Sequence, residues 1–311
     1  MKATQPSYIT RLVILTGVYF AAAWVSKQAT FMSGEVALVY PAFGISLAAL
    51  LVYGYRFWPA IAWGTFVYAL ATASGNAADT FGAKTVADVL GNTVGALTCA
   101  YLLQRMIAFR NPMNRVKDVA GFVTLACLLG TTVIAAFKVV GVLYAGELDR
   151  DQMLDSLFIW WMPNAMACLI ITPFVLAWAS PTVAPWNPKM FLEGLLCAAG
   201  LIGGTLISFN SWYTYGIQNY PFAYLPYPFL VWAALRFGQR GAATGTFIVA
   251  VLAISTLLDG RGPFVTPNER DSLVIIGSYL GILSVANLLL GAFTFDRQRS
   301  SLPPEVQPVS S

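Results

Sequence analysis

Residues 155–177 read DSLFIWWMPNAMACLIITPFVLA, and the reading of this stretch decides the fold. At about 1.5 Å of rise per residue it is long enough to cross a bilayer, for which about 20 apolar residues suffice. It nevertheless carries two adjacent tryptophans (Trp160, Trp161), the pair Pro163 and Asn164, and a second proline, Pro173. An amide in hydrocarbon needs a hydrogen-bonding partner, so Asn164 is expected to face protein or a water-filled cavity. An interfacial tryptophan belt, with one amide bonding a neighbouring helix, is the plainer reading of the same residues.

The rest of the chain has the same character. It is 58% hydrophobic and only 10% charged, where soluble domains carry about 25% charged residues. So little polar surface cannot wrap so apolar an interior, and the expected fold class is all-α: a polytopic transmembrane helix bundle. The net charge of +4 does not indicate nucleic acid, because the basic residues gather in loops on one side. Residues 11–25 are apolar, but no cleavage region follows and further spans do, so a signal peptide is not expected.

The sequence contains no histidine, which excludes a histidine-ligated haem or zinc site, a Ser-His-Asp triad and a phospho-accepting histidine. No enzyme activity, metal or cofactor is therefore expected. Cys99, Cys127, Cys168 and Cys197 each lie in an apolar segment without paired spacing and read as small buried hydrophobes.

Hydropathy and turn signals predict ten spans, near 11–27, 36–53, 57–73, 86–107, 118–144, 155–179, 189–208, 222–236, 241–258 and 272–295. Eight is the alternative, with 222–236 short and re-entrant against 241–258. A cytoplasmic N-terminus leaves only Lys27, Lys84, Arg150, Arg261 and Arg270 on the outer side, with Lys138 inside a span. That bias places both termini in the cytoplasm. The expected organisation is a cytoplasmic segment 1–10, a transmembrane domain 11–296 and a disordered tail 297–311. No repeated halves are evident. Gly91 with Gly95, Gly241 with Gly245, and Gly277 with Gly281 have the spacing that brings membrane helices close, and read as packing.

The polar residues within the spans fall at a common depth. Asp88 and Asn92 share a face near the outer start of one helix. Lys138 lies about two turns below the outer end of another, and Trp160, Trp161 and Asn164 enter from the same side. Tyr40, Pro41 and Gly44 open a further helix there. A lysine within a span costs roughly 2.5–3.5 kcal/mol, and Asp88 or Glu35 is the natural counter-charge. One reading has Lys138 snorkelling to the headgroups. The other is an outward-open pocket lined by Tyr40, Asp88, Asn92, Lys138, Trp160, Trp161 and Asn164, suited to a sugar, an anion or a small amphiphile. Elsewhere, Glu193 reads as a solvated helix start and Asn287 as a helix-to-helix hydrogen bond. The aromatics from Trp212 to Tyr227 read as an outer belt or a roof to the pocket.

Four stretches resemble a known family. YPAFGISLAALLVYGYRFWPAIAWGTF (residues 40–66) is similar to the opening signature of the bacterial membrane-associated sensor domains of the first type (MASE), with its W/Y-P-x-x-G run and later W-P. GNTVGALTCAYLLQR (91–105) resembles the family's G-N-T helix, WWMPNAMACLIITPFVLAW (160–178) its W-W helix, and LPYPFLVWAALRFGQRGAATG (225–245) its W-x-x-x-R-x-G-x-R-G segment. Asn164 stands where the family's W-W helix has an acidic residue.

The resemblance implies a multi-pass sensory domain of the bacterial inner membrane, usually fused to a cytoplasmic histidine kinase, diguanylate cyclase or phosphodiesterase. One branch acts in sugar-phosphate sensing beside a transporter-like partner. No output domain follows Arg299, so the expectation is a sensor acting through a separate membrane or cytoplasmic signalling protein, with a small-molecule ligand and the lipid bilayer as its other partners. An accessory subunit of a larger membrane complex is the alternative, and a small-solute transporter the second.

Overall fold

The computed structural model describes residues 7–31, 36–73, 81–180, 187–210 and 223–300, without the side chains of 295–300. Glu35, Trp212, Tyr213, Tyr215, Tyr220 and Phe222 lie outside the described residues, as does the tail from 301. What is described is almost entirely helical. The exception is a two-residue ladder in which Thr30–Phe31 (β1) pairs antiparallel with Val36–Ala37 (β2).

The helices are α1 (Tyr8–Gln28), α2 (Pro41–Tyr53), α3 (Trp58–Thr72), α4 (Ala83–Ile107), α5 (Val116–Tyr144), α6 (Met153–Ala179), α7 (Pro188–Phe209), α8 (Tyr227–Leu258) and α9 (Glu269–Ser300). Their starts follow from local chemistry. Ser7 caps α1 by accepting from the Thr10 amide at 3.2 Å, and Asn187 caps α7 through the Met190 amide at 2.7 Å. Prolines open α2, α3, α7 and α8, where their missing N–H costs nothing. Helix α9 runs to Ser300.

Among the described residues, seven helices are long and apolar enough to cross a membrane: α1 and α4 to α9. This is fewer than the ten expected spans, and the difference has two local causes. Helix α2 has 13 residues and α3 has 15, shorter than a full crossing at about 1.5 Å per residue. Helix α8 is one run only nominally. At Gly238 the backbone takes φ 59°, ψ −143°, outside the helical region. A Cβ on Gly245 would lie 2.9 Å from Leu230 Cδ2, whereas fifteen residues of continuous helix span about 22 Å. The chain therefore folds back at Gly238, and 227–237 pairs with 239–258 as a helical hairpin.

The chain divides into two compact units, one within 1–108 and 123–172, the other within 109–122 and 173–311. In the first, α1 packs on α2 and α3, α3 on α4, α2 on α4, and α4 on α5. Small residues set these distances. A Cβ on Gly95 would collide with the Ile134 side chain, and one on Gly91 would lie 2.9 Å from Phe137 Cβ. The sequence reading of that pair as packing glycines holds. Helix α2 meets α6 equally closely: a Cβ on Gly44 would sit 2.6 Å from the Ala167 carbonyl, and Thr172 Oγ1 donates to the Gly44 carbonyl at 2.9 Å. In the second unit α8 packs on both α7 and α9. There Asn287 Nδ2 donates to the Ala242 carbonyl (2.8 Å) and Thr246 Oγ1 (3.1 Å), the helix-to-helix bond expected of it.

Candidate functional site

A cavity of about 440 Å³ opens within the first unit, at the end of the bundle where α1 and α3 finish and α2, α4 and α6 begin. Its size is within the range of small-molecule sites. Six of the seven sequence-predicted residues line it: Tyr40, Asp88, Asn92, Lys138, Trp160 and Asn164.

Lys138 enters from α5 and Asp88 from α4. Lys138 Nζ lies 3.6 Å from Asp88 Oδ1, and the ammonium stands 5.9 Å from the centroid of the Trp160 ring. The cation thus has a counter-charge and an aromatic face, and Asp88 is the partner among the described residues. Asn92 reaches back one turn, donating from Nδ2 to the Asp88 carbonyl at 2.9 Å. Asn164 does the same on α6, donating to the Trp160 carbonyl at 2.9 Å, while its buried Oδ1 has no hydrogen-bond partner among the described residues. Among those residues its amide bonds within its own helix, where a bond to a neighbouring helix was expected.

Trp161 does not line the cavity. Neighbouring helical residues point about 100° apart, so Trp160 and Trp161 cannot share a face. Trp161 Nε1 instead donates to the Leu128 carbonyl at 3.2 Å. Leu128 lies in Phe122–Gly130, a stretch of α5 wound as π-helix, and Cys99 Sγ contacts the Ala126 carbonyl of the same stretch at 3.6 Å. The Leu128 carbonyl accepts from Thr132 Oγ1 at 2.7 Å as well as from Trp161. Trp161 fastens α6 to α5.

The sequence reading missed much of the wall. Thr65, Tyr68 and Thr72 of α3 line the cavity, with Lys27 at the end of α1 and Lys84 and Thr85 at the start of α4. Spacings of three, four and seven put the α3 trio on one face, a pattern legible in the sequence. Thr65 Oγ1 donates to Tyr19 Oη at 2.7 Å, and Tyr19 Oη lies 3.2 Å from Tyr40 Oη, so the floor is a hydrogen-bonded hydroxyl chain. The Tyr40 amide donates to the Pro163 carbonyl at 3.1 Å, pinning the start of α2 to α6. Lys84 pairs with Glu147 at 2.7 Å. The described wall thus holds three ammonium groups, Lys27, Lys84 and Lys138, and the Asp88 carboxylate.

In the second unit a smaller cavity, about 240 Å³, has apolar walls around Trp178, Phe191 and Phe237. Arg240 at its edge donates from Nε to the Ala177 carbonyl at 2.9 Å and also reaches the Ser180 carbonyl, closing the end of α6. Glu193, read from sequence as a solvated helix start, is paired: Arg236 Nε donates to both its oxygens at 2.7 and 2.8 Å.

Among the described residues, no cluster of three or more His, Cys, Asp or Glu side chains is placed to hold a metal. Comparison with protein families finds one whose model, MASE1, matches residues 11–298, nearly the whole chain. The chain belongs to the MASE1 family. Searches of curated proteins and of solved structures return no significant match. MASE1 membership makes this a multi-pass membrane sensor domain. The motifs that carry the resemblance also build the MASE1 cavity here: the Tyr40–Pro41 start, the Asn92 helix and the Trp160 helix supply three of its walls.

Proposed function

We propose that this MASE1 chain is a sensory input module whose first unit binds a small hydroxylated or anionic solute. The observation that carries the reading is the cavity around the Lys138–Asp88 pair, walled by Trp160 and floored by tyrosine and threonine hydroxyls. Lys27, Lys84 and Lys138, the last two paired with Glu147 and Asp88, suit an anion or a strongly polar solute, and the aromatic face suits a sugar ring. Binding there draws on α2 to α6 together, so a solute favouring one packing of these helices over another shifts their balance. A signalling protein in the membrane or cytoplasm reads that shift. The basic-residue bias of the loops supports a cavity that opens on the outer face of the bacterial inner membrane. The role is recognition, with no catalysis.

A cysteine at Thr72, on the cavity wall, tests this in a background where the four native cysteines are alanine. A membrane-impermeant maleimide is expected to modify it from the outer face, several-fold more slowly with inorganic phosphate, a hexose phosphate or a hexose in excess. Modification only from the inner face, or a rate that none of the three solutes changes, would count against the proposal.

A further inference from the structure

The two compact units follow one plan. Each contains a run of helices headed by a long one, α1 or α7. Next comes a Tyr-Pro step opening a short helix, Tyr40–Pro41 at α2 and Tyr227–Pro228 at the first arm of α8. Each short helix ends at a glycine with positive φ, 90° at Gly54 and 59° at Gly238. The next helix carries AWGTFVYA (62–69) in one unit and ATGTFIVA (243–250) in the other. The last carries GNTVGALTCAYLL (91–103) and GSYLGILSVANLL (277–289), identical at both glycines, at Leu97 and Leu283, at Ala100 and Ala286, and at the closing leucines.

The packing matches as well. Helix α3 lies on α1 and α4, as α8 lies on α7 and α9. Gly64 stands against Tyr19 of α1, and its counterpart Gly245 approaches Leu201 of α7. Apolar composition alone produces glycine-rich helices, but not four landmarks in one order with the same neighbours.

We infer that the chain is an internal duplication, two copies of a four-helix unit, and that Asp88 and Asn92 are recognition residues added to the first copy rather than parts of the shared scaffold. This assignment rests on the ligand-binding reading above; the duplication does not. Their matched positions in α9 are Val274 and Ser278, so the plan folds without the carboxylate and amide. Tyr227, the match of Tyr40, stands in ring contact with Tyr279 (6.3 Å), which packs on Phe264 (5.0 Å) and Phe209 (5.9 Å). The second copy packs rings at this position, whereas in the first the polar cavity is closed by α5 and α6, which lie outside the repeat and supply Lys138, Trp160 and Asn164.

Single cysteines in the cysteine-free background test the duplication. Tyr55→Cys and Leu235→Cys mark the ends of the two short helices, and Phe81→Cys and Val265→Cys the approaches to α4 and α9. An impermeant maleimide applied to right-side-out and inverted vesicles is expected to label the first two from one face and the last two from the other. Labelling of the two short-helix ends from opposite faces would overturn it. The assignment has its own readout: Asp88→Val and Asn92→Ser, which import the second copy's residues, are expected to keep the melting temperature within about 2 °C of wild type. They are also expected to abolish any phosphate or hexose phosphate protection of the Thr72 cysteine. Loss of folded protein, or unchanged protection, would return both residues to the scaffold. The vesicle labelling stands whichever way the protection result falls.

Discussion

Lys138 and Asp88 face each other from α5 and α4, Nζ 3.6 Å from Oδ1, inside a polar cavity of about 440 Å³. Both side chains keep about a third or more of their surface open, 41% and 35%. An ion pair so exposed is worth about 0–1 kcal/mol. Asp88→Asn is therefore expected to fold and to melt within about 2 °C of wild type in scanning fluorimetry. A fall of ten degrees would make the pair a structural element instead.

Gly95 gives a sharper expectation. A leucine there meets the Ile134 side chain directly, and overpacking of this kind costs about 1–3 kcal/mol or more. Gly95→Leu is expected to lose most folded protein on size-exclusion chromatography, and Ile134→Ala in the same chain to restore part of it. No rescue would mean that α4 and α5 do not meet at this point.

Gly238 tests the hairpin. A side chain at its φ of 59° with ψ of −143° is strained, at about 1–3 kcal/mol. Gly238→Val is expected to lower the melting temperature by several degrees, while Gly203→Val, whose Cβ meets nothing within 4 Å, leaves it nearly unchanged. Equal effects would argue that 227–258 is an unbroken helix.

These positions separate what the sequence discloses from what it hides. The helical class, the family and six cavity residues were legible because polar groups in a membrane span are costly and must converge on something. Trp161 was not, since only the rotation of α6 against α5, where Leu128 offers its carbonyl, decides which of two adjacent indoles turns inward. Hydropathy marks 222–236 and 241–258 as separate apolar runs but cannot say whether a short run crosses the membrane or turns back within it. The α3 wall escaped because threonine and tyrosine are cheap in a helix and carry no charge to draw attention. The repeated halves stayed hidden because their landmarks are glycines and aromatics in apolar sequence, and become visible only when a positive-φ glycine and matching neighbours align them.

Gln239 carries a prediction for the second unit. Its buried Nε2 donates to the Met113 carbonyl at 2.7 Å and the Leu288 carbonyl at 3.0 Å. Gln239→Leu removes the donor of both bonds and leaves the Met113 carbonyl without it, a cost of about 1–3 kcal/mol. A melting temperature lowered by several degrees is expected, with any ligand response of the first unit retained. A lost response with stability intact would link Gln239 to signalling.

The most direct test of the account is the ligand dependence of thermal stability, measured on wild type and Lys138→Ala against a panel of inorganic phosphate, hexoses and hexose phosphates. A ligand at about 100 times its Kd stabilises the folded state by about 2.7 kcal/mol. The account predicts that at least one solute raises the wild-type melting temperature by several degrees and leaves Lys138→Ala unmoved. Equal shifts in both proteins, or none in wild type, would contradict it.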